Sequence, residues 1–233
     1  MLAGRTALIT GAGGNLGRAA AEAFGAAGAA LVLVGRTEAS LRPEYGAGDA
    51  RTMLLGADLS DAGAVAVAVG QALARFPRID IVCNIAGGFD MGPPVHQTPD
   101  ELWQRMVDLN VRTMLNTVRA VVPGMRAARY GKIVNVGAMA GLAGKAHMGA
   151  YAAAKSMVIR LTESMSAELR DDGINVNCVL PSIIDTPQNR AAMPKADPRR
   201  WVSPAALADV LLFLVSDKSA PIHGAAIPVT GLV

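Results

Sequence analysis

The sequence predicts an α/β fold: a single domain over residues 1–233, doubly wound, with a seven-stranded, mostly parallel sheet and helices on both faces. Three features of the chain point to it. Short apolar runs alternate with longer segments of helical period. The runs do not alternate apolar with polar residues, which suits strands covered on both sides. A glycine-rich turn joins the first run to an alanine-rich segment, which suits a tight strand-to-helix junction.

In chain order, the first run, Thr6–Thr10, is followed by the glycines and then by a helix expected over Leu16–Ala27. The second and third strands are expected at Ala30–Val34 and Thr52–Leu55, with a helix at Ala62–Phe76. The fourth run, Ile79–Asn84, precedes a long helical segment, Glu101–Arg129. Lys132–Val136 and Asn175–Leu180 flank a second long helix, Ala150–Arg170. Pro204–Val215 reads as the last helix and Ala225–Val229 as the last strand, followed by Thr230-Gly231-Leu232-Val233. Residues 185–203 contain Pro187, Pro194 and Pro198. They are too polar for core and too long for a plain connection, so an irregular substrate lid is expected there.

Apolar residues make up 52 % of the chain and charged residues 18 %. That composition supplies a core and is not that of a disordered chain. Aromatics are only 4 %, so Ala, Val, Leu, Ile and Met must build the interior. No apolar run reaches the roughly 18–20 residues of a membrane span. The opening residues lack a basic segment followed by a long apolar one, so no secretory signal is read. The expectation is a cytoplasmic protein without a membrane partner. Cys83 and Cys178 lie inside apolar runs and read as buried free thiols. His96, His147 and His223 are scattered, and no Cys/His cluster has metal-ligand spacing, so no metal is expected. A formal charge of +3 is small, and Lys and Arg are interspersed with Asp and Glu, so nucleic acid is not an expected partner.

The turn Thr10-Gly11-Ala12-Gly13-Gly14-Asn15-Leu16-Gly17 has the strand–turn–helix setting that a dinucleotide requires. Glycines let the backbone approach a pyrophosphate, and the helix N-terminus offers unpaired N–H groups and a positive dipole end. Its spacing is not Gly-x-Gly-x-x-Gly, and a purely structural tight turn is the alternative. The second strand ends in Gly35-Arg36-Thr37. The carboxylate that binds a ribose 2′-hydroxyl is absent, and a guanidinium suited to a 2′-phosphate follows. NADP(H) is therefore the expected preference, with NAD(H) possible; a solvated surface Arg36 is the alternative.

Further along stand Asp58-Leu59, Asn84-Ile85-Ala86-Gly87, Asn110 within Leu109-Asn110-Val111, Tyr151-Ala152-Ala153-Ala154-Lys155, and Pro181 through Thr186. With the first turn, these six segments in this order resemble the short-chain dehydrogenase/reductase family over nearly the whole chain. The resemblance implies a Rossmann fold and an NAD(P)-dependent oxidoreductase acting on a small molecule. It implies cofactor contacts from Gly11, Gly13, Gly14, Asn15, Leu16, Gly17, Asp58, Leu59, Asn84, Ala86, Gly87, Tyr151, Lys155, Pro181, Ile184 and Thr186. It implies catalysis by Tyr151, Lys155 and Asn110, the last holding a water that links Lys155 to solvent. It also implies a homodimer or homotetramer on the two long helices, with Ala152, Met157, Leu161 and Met165 on their packing faces.

The chain departs from the family pattern at four places. Asn15 replaces the middle glycine of the turn, where tolerance of positive φ would let the turn survive. Ile85 replaces a second Asn, and Ser182 a Gly. The family's catalytic Ser lies thirteen residues before the Tyr, and that position is Ala138, beside Gly137. Dihydropteridine reductases show a similar Gly-Ala pair. They are also similar at Gly14-Asn15-Leu16-Gly17, at Cys83 with Ala86-Gly87-Gly88, and from Leu180-Pro181 through Asp185-Thr186-Pro187-Gln188-Asn189-Arg190, Met193-Pro194 and Ala196-Asp197 to Trp201. Gly35-Arg36 departs from that branch, which uses NADH.

Tyr151 and Lys155 are four residues apart, so they share a helix face. A free phenol has a pKa of about 10 and is a poor acid–base group near neutrality; a neighbouring ammonium is expected to lower it. Without a Ser hydroxyl, a ketone reductase loses a preorganised donor, a loss of ~10²–10³ in rate. Reduction of a protonated or conjugated imine, such as a quinonoid dihydropterin, creates no oxyanion and is the favoured reading. A ketone or 3-oxoacyl substrate and a cofactor-binding sensor with little catalysis are the alternatives. His147, four residues before Tyr151, is a candidate substitute donor or an ordinary helix-entry residue. Phe89, Met91, Met148 and Met193 are candidate pocket walls or plain packing.

Overall fold

Every position of the first strand, β1 (Thr6–Thr10), is buried, as expected of a run without a polar side. In the computed structural model, which describes residues 1–233, six more strands join it. They are β2 (Ala30–Gly35), β3 (Thr52–Gly56), β4 (Ile81–Asn84), β5 (Gly131–Val136), β6 (Ile174–Pro181) and β7 (Ala226–Val229). Their order is β3-β2-β1-β4-β5-β6-β7, and all six pairings are parallel. The sheet is thus wholly parallel rather than mostly so, because every connection is a crossover.

Successive residues of a strand point to opposite faces, and the core divides accordingly. Leu8, Val32, Val82, Ile133 and Val176 pack on one side with α3 (Ala62–Arg75), α4 (Asp100–Val107), α5 (Thr113–Ala128) and α6 (Gly149–Leu169). Ile9, Leu33, Cys83, Val134 and Val179 pack on the other with α1 (Asn15–Ala26) and α8 (Pro204–Val215). Cys83 and Cys178 are buried free thiols. No helix is long and apolar enough to cross a membrane, and no three His, Cys, Asp or Glu side chains cluster as a metal site.

Several expected boundaries move. Ile79 and Asp80 precede β4; buried Asp80 instead accepts hydrogen bonds from the Thr6 amide and from Arg5 and Arg78. The long segment expected at Glu101–Arg129 is α4 and α5 joined by one π turn, Asp108–Arg112. Residues 185–203 are not wholly irregular: Thr186 caps α7 (Pro187–Ala192), and Pro198–Arg200 forms a 3₁₀ turn. Trp201, expected in a lid, is buried. A short α2 (Arg42–Tyr45) after β2 was not foreseen. Of the side chains expected on an oligomer face, Ala152 and Met165 are buried within this chain; only Met157 is exposed.

Candidate active site

The loops that leave the C-terminal ends of β1, β4, β5 and β6 gather at one edge of the sheet. The strand order reverses between β1 and β4, and such a reversal opens a crevice in parallel sheets. Two glycines shape the β1 end. Gly11 has φ +68°, and a Cβ there would stand 2.9 Å from the Ala86 amide nitrogen. A Cβ at Gly17 would stand 2.2 Å from the Gly11 carbonyl oxygen. Neither position admits a side chain, because backbone atoms cannot give way. Thr10 locks the same junction: its Oγ1 accepts from the Ile85 and Ala86 amides at 3.1 and 3.2 Å.

Gly14 caps α1 without a side-chain hydrogen bond, and the first turn holds no acidic residue. The free N–H groups and positive dipole end of α1 therefore face the turn formed by Gly11, Gly13 and Gly14. Asn15 is the first residue of α1 and does not adopt positive φ. The turn survives for a reason other than the one expected, since the helix has already begun at this residue. Its Nδ2 donates to Gln188 Oε1 of α7 at 3.1 Å. Leu16 is buried behind the turn.

At the end of β2, Arg36 is exposed and its guanidinium forms no ion pair or hydrogen bond. Thr37 Oγ1 accepts from the Ser40 amide. A Cβ at Gly35 would meet Leu41 side-chain carbons at 2.9 Å, and Leu41 is fully buried. A side chain at residue 35 would require the buried Leu41 to shift, a constraint that only the fold reveals. Asp58, after β3, is exposed; hydrogen bonds from the Ser60 hydroxyl and amide hold its carboxyl below the usual range. Leu59 packs against the core.

Asn84 ends β4 and donates to Asn135 Oδ1 at 2.9 Å, while its own Oδ1 is buried without a partner. Gly87 brings this segment to the helices. A Cβ there would lie 2.8 Å from Asn110 Oδ1 and 3.4 Å from Lys155 Nζ. Asn110 sits in the π turn, a feature frequent at functional sites. Its Oδ1 accepts from the Gly88 amide, and its Nδ2 donates to the carbonyls of Gly88 and Met106. Lys155 is 6 % exposed, and its ammonium donates to the Val136 carbonyl at 2.8 Å.

Tyr151 lies one turn before Lys155 on α6, with Lys155 Nζ 5.9 Å from the ring centroid. Burial pushes the Tyr151 phenol up to about 12 and the Lys155 ammonium down to about 8. The expected lowering of the phenol by Lys155 is not found: burial alone sets the direction of the Tyr151 shift. Ala138 is buried and opens the 3₁₀ turn Met139–Gly141. That turn packs on α6, for a Cβ at Gly141 would meet the Lys155 carbonyl oxygen at 2.9 Å. No hydroxyl is presented by Gly137 or Ala138.

His147 Nδ1 lies 3.2 Å from the Gly92 carbonyl oxygen. A carbonyl only accepts, so Nδ1 carries a proton, and Nε2 of the neutral ring is an acceptor. With Nδ1 engaged by the Gly92 carbonyl, His147 has one ring nitrogen, Nε2, left to face another group. Phe89 packs edge-on against Tyr151, centroids 4.9 Å apart, and Phe89 and Met91 are 55 % and 59 % exposed. Pro181 ends β6 and is buried; Ile184 pairs with Val202, and Thr186 accepts from the Asn189 amide. Sequence reading missed the second support of the site, the buried chain Asn84–Asn135–Thr162. Polar residues inside an apolar run, such as Asn135, were its only signal.

Residues 5–197 match the family described as short chain dehydrogenase. The chain is 31 % identical to 2-(R)-hydroxypropyl-CoM dehydrogenase of Xanthobacter autotrophicus, covering 97 % of each chain. It is 29 % identical to 3-oxoacyl-(acyl-carrier-protein) reductase of Escherichia coli, covering 98 % of this chain and 96 % of that one. Among solved structures, the 3-ketoacyl-(acyl-carrier-protein) reductase of Brucella melitensis complexed with NADH superposes with a TM-score of 0.89 at 28 % identity, covering 99 % of this chain and 98 % of that one.

Proposed function

The chain belongs to the short chain dehydrogenase family of NAD(P)H-dependent oxidoreductases, and from that premise we propose that it is an NADPH-dependent reductase of a conjugated C=N bond. A quinonoid dihydropterin or a cyclic imine is the substrate class. The observation that carries the reading is Tyr151 paired with Lys155 beside a turn that bears a methyl group, Ala138, where a hydroxyl donor would serve a carbonyl.

The residues fit a dinucleotide. Gly11 and Gly17 leave a cradle that a Cβ would fill, α1 offers unpaired N–H groups, and Asn84 Oδ1 is a buried acceptor without a donor. In this reading Gly11, Gly13, Gly14, Asn15, Leu16 and Gly17 hold the pyrophosphate, and Arg36 and Thr37 a 2′-phosphate. Asp58 and Leu59 meet the adenine. Asn84, Ala86 and Gly87 line the middle of the cofactor, Lys155 binds its second ribose, and Pro181, Ile184 and Thr186 border the nicotinamide. NADPH, when bound, supplies the hydride.

Tyr151 supplies the proton. Its raised pKa keeps it a neutral acid throughout the neutral range, which is the form a reduction needs. As the substrate carbon gains the hydride, the C=N π pair becomes a lone pair on nitrogen, which takes the Tyr151 proton. The Lys155 ammonium stabilises the phenolate that remains, and Asn110 stands where a water can return a proton. Residues 185–203 close over the substrate, and the chain works as a cytoplasmic homodimer or homotetramer.

A carbonyl substrate is the second reading, favoured by the relatives, whose names are those of hydroxy and oxo-group enzymes. Turnover of a quinonoid dihydropterin and of cyclic imines is compared with that of β-ketoacyl esters and simple ketones, all with NADPH. Faster C=N turnover is expected, and Ala138→Ser should raise ketone turnover more than imine turnover. Ketone activity without imine activity overturns the first reading. NADPH binding with no turnover at all would make the chain a sensor.

A further inference from the structure

We propose that His147 is a positioning residue that fixes the substrate-side wall of the site by clasping Gly92, so that Phe89 stays edge-on against Tyr151. The proposal rests on the reading of Tyr151 as proton donor.

Only two residues other than glycine have positive φ, Arg129 at +49° and His147 at +65°. Arg129 closes α5, where a left-handed residue is a common way to end a helix. His147 ends no helix. A side chain kept in a conformation where glycine is unstrained points to a use for that side chain.

The use is visible in its contacts. The Gly92 amide donates to the His147 carbonyl at 2.8 Å, and His147 Nδ1 donates back to the Gly92 carbonyl at 3.2 Å. This two-way clasp joins the loop after β4 to the segment that enters α6. Gly92 lies close against α4, for a Cβ there would stand 2.8 Å from Leu102 Cδ2. At the other end of the arc, Asn110 grips both the amide and the carbonyl of Gly88. Between the two clamps lie Phe89, Asp90 and Met91. Asp90 pairs with Arg105 at the surface, while Phe89 and Met91 stay mostly exposed.

Little apolar packing therefore holds the arc, and its shape depends on the clamp at each end. Releasing one end lets Phe89 leave the Tyr151 ring. The cofactor cradle at β1 and β2 does not touch the clasp, so the effect belongs to the substrate.

His147→Gly tests this, since glycine accepts the backbone conformation and deletes the ring. The melting temperature should not fall, and the Kd for NADPH should stay unchanged. Amide exchange at Gly92, whose N–H is held by the His147 carbonyl, should quicken about tenfold in the free protein, and the substrate KM should rise about tenfold with kcat nearly constant. His147→Asn, which tolerates the left-handed backbone and retains a donor, should restore part of the exchange protection. Unchanged exchange at Gly92, no recovery in His147→Asn, or a raised NADPH Kd with an unchanged substrate KM would each overturn the proposal. The exchange measurement needs no turnover. It therefore decides the role of His147 even if no C=N compound proves to be a substrate.

Discussion

The two halves of the crevice are held by different means. At the β1 and β2 ends, backbone meets backbone: the neighbours of Gly11 and Gly17 are main-chain atoms that cannot rotate away. On the other side, the arc from Gly88 to Gly92 is held mainly by side-chain hydrogen bonds, with one main-chain bond from Gly92 to His147, and carries exposed apolar groups. A main-chain cradle suits one invariant ligand. A side-chain wall can be rebuilt for a new substrate without disturbing that cradle, which is how one fold serves many reactions.

Four experiments break or sharpen this contrast. The largest effect is expected from Tyr151→Phe, which removes the proton donor and leaves the cradle intact. Loss of a general acid should lower kcat by about 10³, with NADPH affinity, measured by calorimetry, unchanged. Equal loss of binding and turnover would show that the two halves are not separable.

A matched glycine pair comes next. Gly17→Ala places a Cβ 2.2 Å from the Gly11 carbonyl oxygen, so NADPH affinity should fall by about 10²-fold with the loss of unstrained backbone at the phosphate. Gly88→Ala meets only Leu109 Cδ1, at 2.9 Å, and that half-exposed side chain can rotate. Its NADPH affinity should change by less than about threefold. Equal effects would refute the distinction between the two sides.

Arg36→Leu tests how far the cradle selects its ligand. Removing a charge-assisted phosphate contact should cut kcat/KM for NADPH by 10- to 100-fold, about 1.5–3 kcal/mol, and leave NADH nearly unaffected. Equal losses for both cofactors would return Arg36 to the role of a solvated surface group.

The smallest effect concerns pH. Lys155 has its pKa lowered from 10.5 to about 8 by burial, so kcat/KM for reduction should be level below about pH 8 and decline above it as the ammonium is lost. In the unfolded chain the lysine keeps its proton up to about pH 10.5. Between these values the unfolded state binds more protons, so unliganded stability rises with pH in that window, and the burial penalty is fully present below pH 8. Lys155→Met should abolish the pH 8 limb and stabilise the unliganded protein at pH 7 by about 2 kcal/mol, the penalty less the bond to Val136. Tyr151 adds the opposite slope. Raised to about 12, it costs stability as pH climbs from about 10 to 12.

Much of the crevice could be read before the fold was known. The alternation of runs and helices, the glycines of the first turn and the Tyr151–Lys155 spacing are short-range patterns, and β1, α3, α6 and α8 lie within a residue or two of the expected spans. The π turn at Asn110 was not legible, because its extra residue answers to Gly88, 22 positions away, and not to its helical neighbours. Nor was the state of Tyr151: the spacing correctly put an ammonium one turn away, but the sign of the shift depends on how much water the fold removes.

Local sterics and hydrophobic period act within a dozen residues, so the sequence alone determined the strands, the main helices, the parallel sheet and the candidate residues that line its open edge. The tertiary structure decided what those residues are to each other. It alone set Leu41 over Gly35, the hydrogen bond between His147 and Gly92 across 55 positions, and the burial that raises Tyr151 and lowers Lys155. These depend on strand order and helix packing, which are summed over the whole chain and written in no single segment.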